Sequence, residues 1–373
     1  MIRVLHILGN ADVGGLSTVV LNYMKCIDQS QIHFDFALAG GELGVNGKKM
    51  IEMGARYYQL PLKSESIQTF RNALFDLLTK EHFDVVHVHG NSTSFVALQV
   101  AQKAGVKYRF AHAHTTMIGG GWKTMVRRLT GWVLNYHYAT HVIGCGKLAG
   151  DSIFGKKHMK TTKASVLPNA IDTKIFCFNE QVREEMRTEL GIGNRYAIGI
   201  IGRLAHEKNH TFALDVIKKV HANNDNIVLF IIGTGELDSM LECTIFDSQM
   251  DSYVKMLGRR TDMARLYQAM DCCILPSLYE GFPMTGVEAI AAGLPLIISD
   301  TVTDELKFGS AVKYLPLKQE AWVEEILKRA NINDTDLRAE RSKEAADNGF
   351  DINVTSKQLE NLYLACTGES RIS

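Results

Sequence analysis

The chain has 373 residues, 46% of them hydrophobic and 22% charged, the balance of a soluble globular protein with room for two domains. No apolar run approaches the roughly 20 residues that span a bilayer, and the opening "MIRVLHILGN" is too short and strand-like for a secretory leader. Seven cysteines, odd in number and without a C-x-x-C pair, argue against a disulfide framework or a zinc site and fit a reducing cytoplasm.

The net charge of zero hides an asymmetry. Residues 1–165 hold 19 Lys+Arg against 10 Asp+Glu, a balance of +9, and residues 166–373 hold 22 against 31, a balance of −9. Ten of the 13 histidines lie in the first part. An anionic surface or ligand for the first part accounts for this, and so does attraction between the two parts. No nucleic-acid partner is expected.

In chain order, strands are predicted over 2–8, 34–39, 84–89, 108–114 and 139–145, with helical periodicity over 64–80 and 94–104. A second series follows over 196–202, 226–233, 253–258, 272–277 and 294–299. Near-continuous apolar strands alternating with helices imply parallel sheets covered on both faces. The predicted class is therefore α/β, with two doubly wound Rossmann-like domains facing across a cleft. The Pro-Asn turn in "SVLPNAIDTKIF" (165–176) marks the break. We expect an N-terminal domain over 1–167, a second over 168–352, and a C-terminal helix within 353–373.

Ligands of such sheets bind beyond the carboxyl ends of the strands. After the first strand, Gly14 and Gly15 precede a helix, where backbone N–H groups can approach an anion or simply make a tight turn. "GRLAHEKNH" (202–210) offers Arg203 and Lys208, a phosphate clamp or a solvated basic loop. Gly233 and Gly235 lack the third glycine of a dinucleotide fingerprint and read as turn glycines. His112 and His114, like His87 and His89, share a strand face at i,i+2 spacing, without a third metal ligand of suitable spacing. A cleft-facing histidine that steers a substrate is the sharper reading, with at least two of these four structural. Asp334-Thr335-Asp336 follows no strand and reads as a helix cap.

"YEGFPMTGVEAIAAG" (279–293) follows a strand. Pro283 suits the first helical position, and the helix is predicted to run from about Met284 to Ala292, stopping at Gly293. Its N-terminus suits phosphate, with Glu280 ahead of it and Glu288 about 7 Å down the axis. Carboxylates so placed can accept hydrogen bonds from sugar hydroxyls. A glycosidase acid/base pair competes, but the intrahelical position of Glu288 makes proton transfer less natural.

Arg203, Lys208 and the two glutamates, in that order, resemble the retaining GT-B fold glycosyltransferases known as glycosyl transferases group 1, or family four. "LGRRTDMARLYQAMDCCILPSLYEGFPMTGVEAIAAGLPLIISD" (257–300) is the most specific block and resembles enzymes of exopolysaccharide and capsule biosynthesis. "DVVHVHG", "AHAHT", "PNAID" and "GTGE" also fall in the family's order. The resemblance implies that Arg203 and Lys208 bind the donor pyrophosphate, that Glu288 holds the ribose and that Glu280 contacts the transferred sugar. It implies that the backbone through Gly281, Phe282, Pro283, Met284 and Thr285 meets sugar and phosphates. Gly258, Arg259 and Arg260 would lie near the base, His114 near the sugar, and Gly14 and Gly15 near phosphates and acceptor. It further implies a nucleotide-sugar donor, UDP being the commonest nucleotide, no metal or other cofactor, retention by front-face attack, and a glycan or polyprenyl-linked acceptor. Alternatives are a sugar-nucleotide epimerase of the same fold and a non-catalytic nucleotide-sugar-binding subunit.

In residues 122–138, Trp122, Met125, Val126, Leu129, Trp132, Val133 and Tyr136 share a helical face, with Lys123, Arg127 and Arg128 on the other. The pattern fits an interfacial helix on anionic lipid, hence peripheral membrane contact at the inner face of the cytoplasmic membrane. A helix packing its apolar face on its own sheet is the plainer reading of the same pattern.

Overall fold

The computed structural model describes residues 1–12, 15–41, 43–116, 121–280, 282–332 and 334–368, the side chains at 15 and 367 excepted. Two compact units result, one of Met1–Ile171 with Ile352–Ser373 and one of Asp172–Asp351.

In unit 1, strands and helices alternate: β1 (Ile2–Leu8), α1 (Gly15–Cys26), β2 (Ile32–Ala39), α2 (Val45–Glu52), β3 (Tyr57–Leu60), α3 (Ile67–Lys80), β4 (Val85–Gly90), α4 (Phe95–Lys103), β5 (Tyr108–Ala113), α5 (Trp122–Tyr138), β6 (His141–Gly144), α6 (Lys147–Phe154) and β7 (Ala164–Val166). The strands form one parallel sheet in the order β3-β2-β1-β4-β5-β6-β7. The order reverses at β1 and β4, so their carboxyl ends flank the crevice such sheets offer a ligand. Leu5, Ile7, Val86, Val88 and Ala111 are buried under α3 and α4, which contribute Phe70, Leu74, Ala97 and Leu98. Helix α3 starts at Ser66, whose hydroxyl accepts from the Thr69 amide at 3.1 Å, a side-chain N-cap.

Unit 2 repeats the plan with α7 (Thr173–Phe176), α8 (Glu180–Glu189), β8 (Tyr196–Ile201), α9 (His210–Asn223), β9 (Ile227–Ile232), α10 (Asp238–Asp247), β10 (Val254–Gly258), α11 (Met263–Ala269), β11 (Cys272–Leu275), α12 (Met284–Ala291), β12 (Leu296–Ser299), β13 (Val312–Leu315), α13 (Gln319–Ala330), α14 (Arg338–Arg341) and α15 (Glu344–Asp347). Its parallel sheet runs β10-β9-β8-β11-β12-β13, with the reversal at β8 and β11. All six residues of β9, "IVLFII", are buried, as a central strand covered on both faces requires.

The chain then returns to unit 1 through α16 (Ile352–Thr367). Helix α16 packs on α1, and its Tyr363 hydroxyl reaches His87 Nδ1 at 2.5 Å. The division falls at Ile171 rather than at 167. Residues 168–171 are tied to unit 1 by Asn169 on His114 and by the Ile352 amide, which donates to the Ile171 carbonyl at 2.8 Å.

Candidate active site

The site in unit 2 is built from loops at its sheet reversal. After β8 the chain passes Gly202 and Arg203, makes a 3₁₀ turn over His206–Lys208, and enters α9 through Asn209 in the left-handed region, φ 56°. After β11 it runs through Pro276, Ser277, Tyr279 and Glu280 into α12. Backbone and side chain lock the two loops together. The Leu278 amide donates to the Glu207 carbonyl at 2.8 Å, and Asn209 Nδ2 donates to the Pro276 carbonyl at 3.1 Å.

That framework brings together two predicted residues 72 positions apart: Lys208 Nζ lies 2.5 Å from Glu280 Oε1. The Ser277 hydroxyl donates to the same oxygen at 2.8 Å. Both charged side chains are largely buried, so this is a weakly screened, oriented pair rather than a surface contact. Arg203 is on the same loop but 64% exposed, paired with Glu207 at 2.5 Å. That leaves an exposed cation beside a held one.

Helix α12 begins after Pro283, which adopts φ −80°, ψ 96° and is the N-cap residue rather than the first helical residue expected from sequence. No side chain caps the helix and no acidic residue occupies its first turn, so its free N–H groups remain suited to an anion. Gly281 lies outside the described residues. The Phe282 ring is buried and stacks on Phe350 at 5.5 Å, leaving its backbone for any ligand. Met284 and Thr285 are half-buried.

Glu288 is half-buried, which answers how a charge fits a helix of small residues. The Tyr267 hydroxyl of α11 lies 2.9 Å from Glu288 Oε2 and 3.2 Å from the Thr285 carbonyl. Desolvation pushes the Glu288 carboxyl up to about 7, and the Tyr267 hydrogen bond opposes that rise. In Tyr267→Phe the opposition is lost. A titration followed by carboxyl ¹³C shift should then place the Glu288 midpoint higher, by on the order of one unit; an unchanged midpoint would show that the hydroxyl does not govern it.

The loop after β9 supports the Arg203 loop at a distance only glycine permits. A Cβ on Gly233, at φ 140°, would sit 1.9 Å from the Gly202 carbonyl oxygen, and one on Gly235 would sit 2.3 Å from that of Leu204. Gly233→Ala should therefore destabilise unit 2 by about 3 kcal/mol in urea unfolding. Gly258 ends β10 at φ 60°, its carbonyl accepting from the Gly233 amide at 2.9 Å. Arg259 follows, and Arg260 is tied to Asp262 at 2.7 Å and Glu189 at 3.1 Å.

The described predicted residues of unit 1 follow β1 and β5. Gly14 falls outside the described residues, and Gly15 is the first residue of α1. His114 sits just past β5 and has both ring nitrogens engaged: Nδ1 with Asn169 Oδ1 at 2.8 Å and Nε2 with His89 Nδ1 at 2.8 Å. His89 Nε2 meets His6 Nδ1 at 2.8 Å, completing a file of three imidazoles. With the Asn169 oxygen accepting from His114 Nδ1, His89 Nδ1 donates to His114 Nε2 and His6 Nδ1 to His89 Nε2, which fixes all three tautomers. His87 and His112 stack alongside, 5.3 Å apart, and the ring nitrogens of His112 have no partner among the described residues.

Burial lowers all five histidines, His6 to about 3 and His114 to about 4, with His87, His89 and His112 well below the usual 6.5. Sequence spacing offered His112 and His114 no third metal ligand. The register of β4 against β5 supplies one, His89, with donor atoms of the three within 4.8 Å; His6, His87 and His89 form a second such group. Neutral imidazoles suit a transition metal, but here His6, His89 and His114 bind one another through Nδ1–Nε2 contacts, while the nitrogens of His112 have no partner among the described residues. Asp334, of the Asp-x-Asp run, pairs with Arg341 at 2.5 Å; it is the N-cap residue of a 3₁₀ turn, without the side-chain capping bond expected of it.

Sequence reasoning missed His6, Tyr267 and Ser277 and assigned Asn169 no role. Each matters through a neighbour on another element, and only the Pro-Asn turn at 168–169 carried a local signal.

Comparison with known proteins bears on what these parts do. Residues 13–175 match the family described as Glycosyltransferase Family 4, and residues 182–307 match glycosyl transferases group 1. EpsF of Bacillus subtilis, a glycosyltransferase by name, is 32% identical over 97% of this chain and 96% of its own. The Escherichia coli UDP-Gal:alpha-D-GlcNAc-diphosphoundecaprenol alpha-1,3-galactosyltransferase is 26% identical over 80% of this chain and 79% of its own. Among solved structures, Anabaena HepE in complex with UDP superposes with a TM-score of 0.81 at 15% identity, covering 98% of this chain and 100% of that one. With its two parallel-sheet α/β units and these relatives, the chain belongs to the group 1, family 4 glycosyltransferases of GT-B fold.

Proposed function

We propose that this glycosyltransferase is retaining and metal-independent. It moves a sugar from a UDP-sugar to a lipid-linked glycan acceptor in surface polysaccharide biosynthesis, at the cytoplasmic face of a membrane. The observation that carries this reading is the held Lys208–Glu280 pair ahead of the uncapped N-terminus of α12. Lys208, Arg203 and the first N–H groups of α12 supply a positive field for a departing pyrophosphate. Glu280 accepts from a hydroxyl of the transferred sugar, and Glu288 from the ribose. UDP in HepE and the diphosphoundecaprenol acceptor in the name of the Escherichia coli relative support the donor and acceptor classes.

The engagement of both carboxylates supports front-face transfer over a glycosidase-like pair. Glu280 is bound by Lys208 and Ser277, and Glu288 by Tyr267. Glu280, held in an ion pair, is not a free nucleophile, and the leaving phosphate takes the acceptor proton. His114 in unit 1 is held neutral by burial, with both ring nitrogens engaged. The test is UDP release from EDTA-treated protein with a panel of UDP-sugars. Release that depends on a diphosphate-linked glycan acceptor is expected. Failure of every UDP-sugar, or turnover independent of acceptor, would overturn the reading.

A further inference from the structure

Helix α5 is amphipathic the wrong way round for a helix that packs on its own sheet. Its inward side carries Gly131 and Asn135, both buried. A Cβ on Gly131 would come within 2.8 Å of the Ser92 side chain, and Asn135 Nδ2 donates to the carbonyls of Asn91 and Ser92 at 3.4 Å. Trp132 and Tyr136 tie the helix to its successors: the indole donates to the Ser152 carbonyl at 2.8 Å, and the phenol stacks on His158 at 4.1 Å.

Tyr138 packs against the core, whereas five other apolar residues face outward. Trp122 is 73% exposed, Met125 52%, Val126 48%, Leu129 47% and Val133 61%. Their spacing of three, four and seven makes one continuous stripe. The expectation that this face packs on its own sheet is thereby excluded. A stripe of this size on a helix anchored by its polar side marks an interaction surface.

Charge identifies the occupant. Lys123 and Arg127 flank the stripe, and residues 121–165 contain eight Lys+Arg and a single acidic residue, Asp151. Beyond Trp132, a cavity of about 460 Å³ is lined by Lys147, Lys156, Lys160, Asp151, Met159 and Val166, with apolar wall and mostly cationic rim. A second copy of the chain would set this basic surface against itself. A sheet of phosphates over acyl chains matches both the stripe and the cations. Among the described residues no helix is long and apolar enough to cross a membrane, so the contact is one of lying on the surface.

We propose that the α5 stripe, with the Lys147–Lys156–Lys160 rim, is a docking surface for a bilayer of anionic phospholipid. The proposal deepens the membrane placement proposed above and rests on it, but its test is separate from catalysis. In vesicle flotation, the full chain should bind phosphatidylglycerol-containing vesicles, bind pure phosphatidylcholine weakly, and be released by salt. Leu129→Asp with Val133→Asp should weaken partitioning by roughly tenfold or more. Lys156→Glu with Lys160→Glu should remove the preference for the anionic lipid. All these positions are exposed, and unchanged thermal melts will verify folding. Failure of the parent chain to float, or equal binding by the Leu129/Val133 variant, overturns the proposal. Equal affinity for both lipids overturns its anionic part. A dimer in sedimentation velocity that this variant abolishes would assign the stripe to a protein partner instead. Turnover of a soluble acceptor analogue, equal in parent and variants, reports on the proposed function alone; its absence would sink that reading and leave the vesicle result standing.

Discussion

Lys208→Ala is expected to lower kcat/KM for UDP-sugar turnover by about 10³-fold, close to 4 kcal/mol of transition-state stabilisation. Two losses combine. On the proposed reading a charge facing the donor pyrophosphate disappears, and among the described residues Glu280 keeps only Ser277 as a donor. A carboxylate so deprived is expected to move, so sugar positioning suffers with phosphate stabilisation. Lys208→Arg should recover part of the rate, because it restores charge but not the compact ammonium that fits beside Ser277. The stability cost of the alanine change should be about 3 kcal/mol, below the total stability of a typical domain. Urea unfolding alongside initial rates separates the two effects. Activity of Lys208→Ala within threefold of the parent would refute the assignment of the pair.

The second large effect is acid sensitivity of unit 1. Its buried histidines are neutral when folded, with His6 at about 3 and His114 at about 4. In the unfolded chain they protonate near 6.5. Below that pH the unfolded state binds more protons, so stability falls as pH falls and continues falling toward the folded values. Each group costs about 1.4 kcal/mol per pH unit in that window. At pH 5.5 His6 and His114 together cost about 3 kcal/mol, and His87, His89 and His112 act with the same sign. That is a large share of a typical domain's stability. Glu288 in unit 2 works oppositely: its raised carboxyl takes up its proton as pH falls through about 7, which favours that fold over the unfolded chain. Hydrogen exchange at pH 7.5 and 5.5, corrected for intrinsic rates, should therefore show β1, β4 and β5 losing protection before β8 and β11. Equal loss in both units would contradict the account.

The interior strands were legible because they are buried on both faces, as the continuous apolar run of β9 demonstrates. Strands β3, β7 and β13 were not, since they lie at sheet edges with partly exposed residues and no continuous run. Lys208 and Glu280 could each be nominated locally, yet their contact depends on β8 and β11 being neighbours, which no local pattern encodes. The same holds for Tyr267 on Glu288 and for His6, whose place in the imidazole file follows from strand register. In α5 the sequence displayed two faces but not which one points inward; that was decided by the tight approach at Gly131 and the inward amide of Asn135.

The most direct test of the central claim is a proton NMR time course with EDTA-treated protein, an α-linked UDP-sugar and a diphosphate-linked glycan acceptor. The account predicts that the donor anomeric signal is replaced by a new α-anomeric signal on the acceptor, with equimolar UDP. A β-linked product, a donor merely epimerised, or a reaction that starts only when a divalent metal is restored would contradict it.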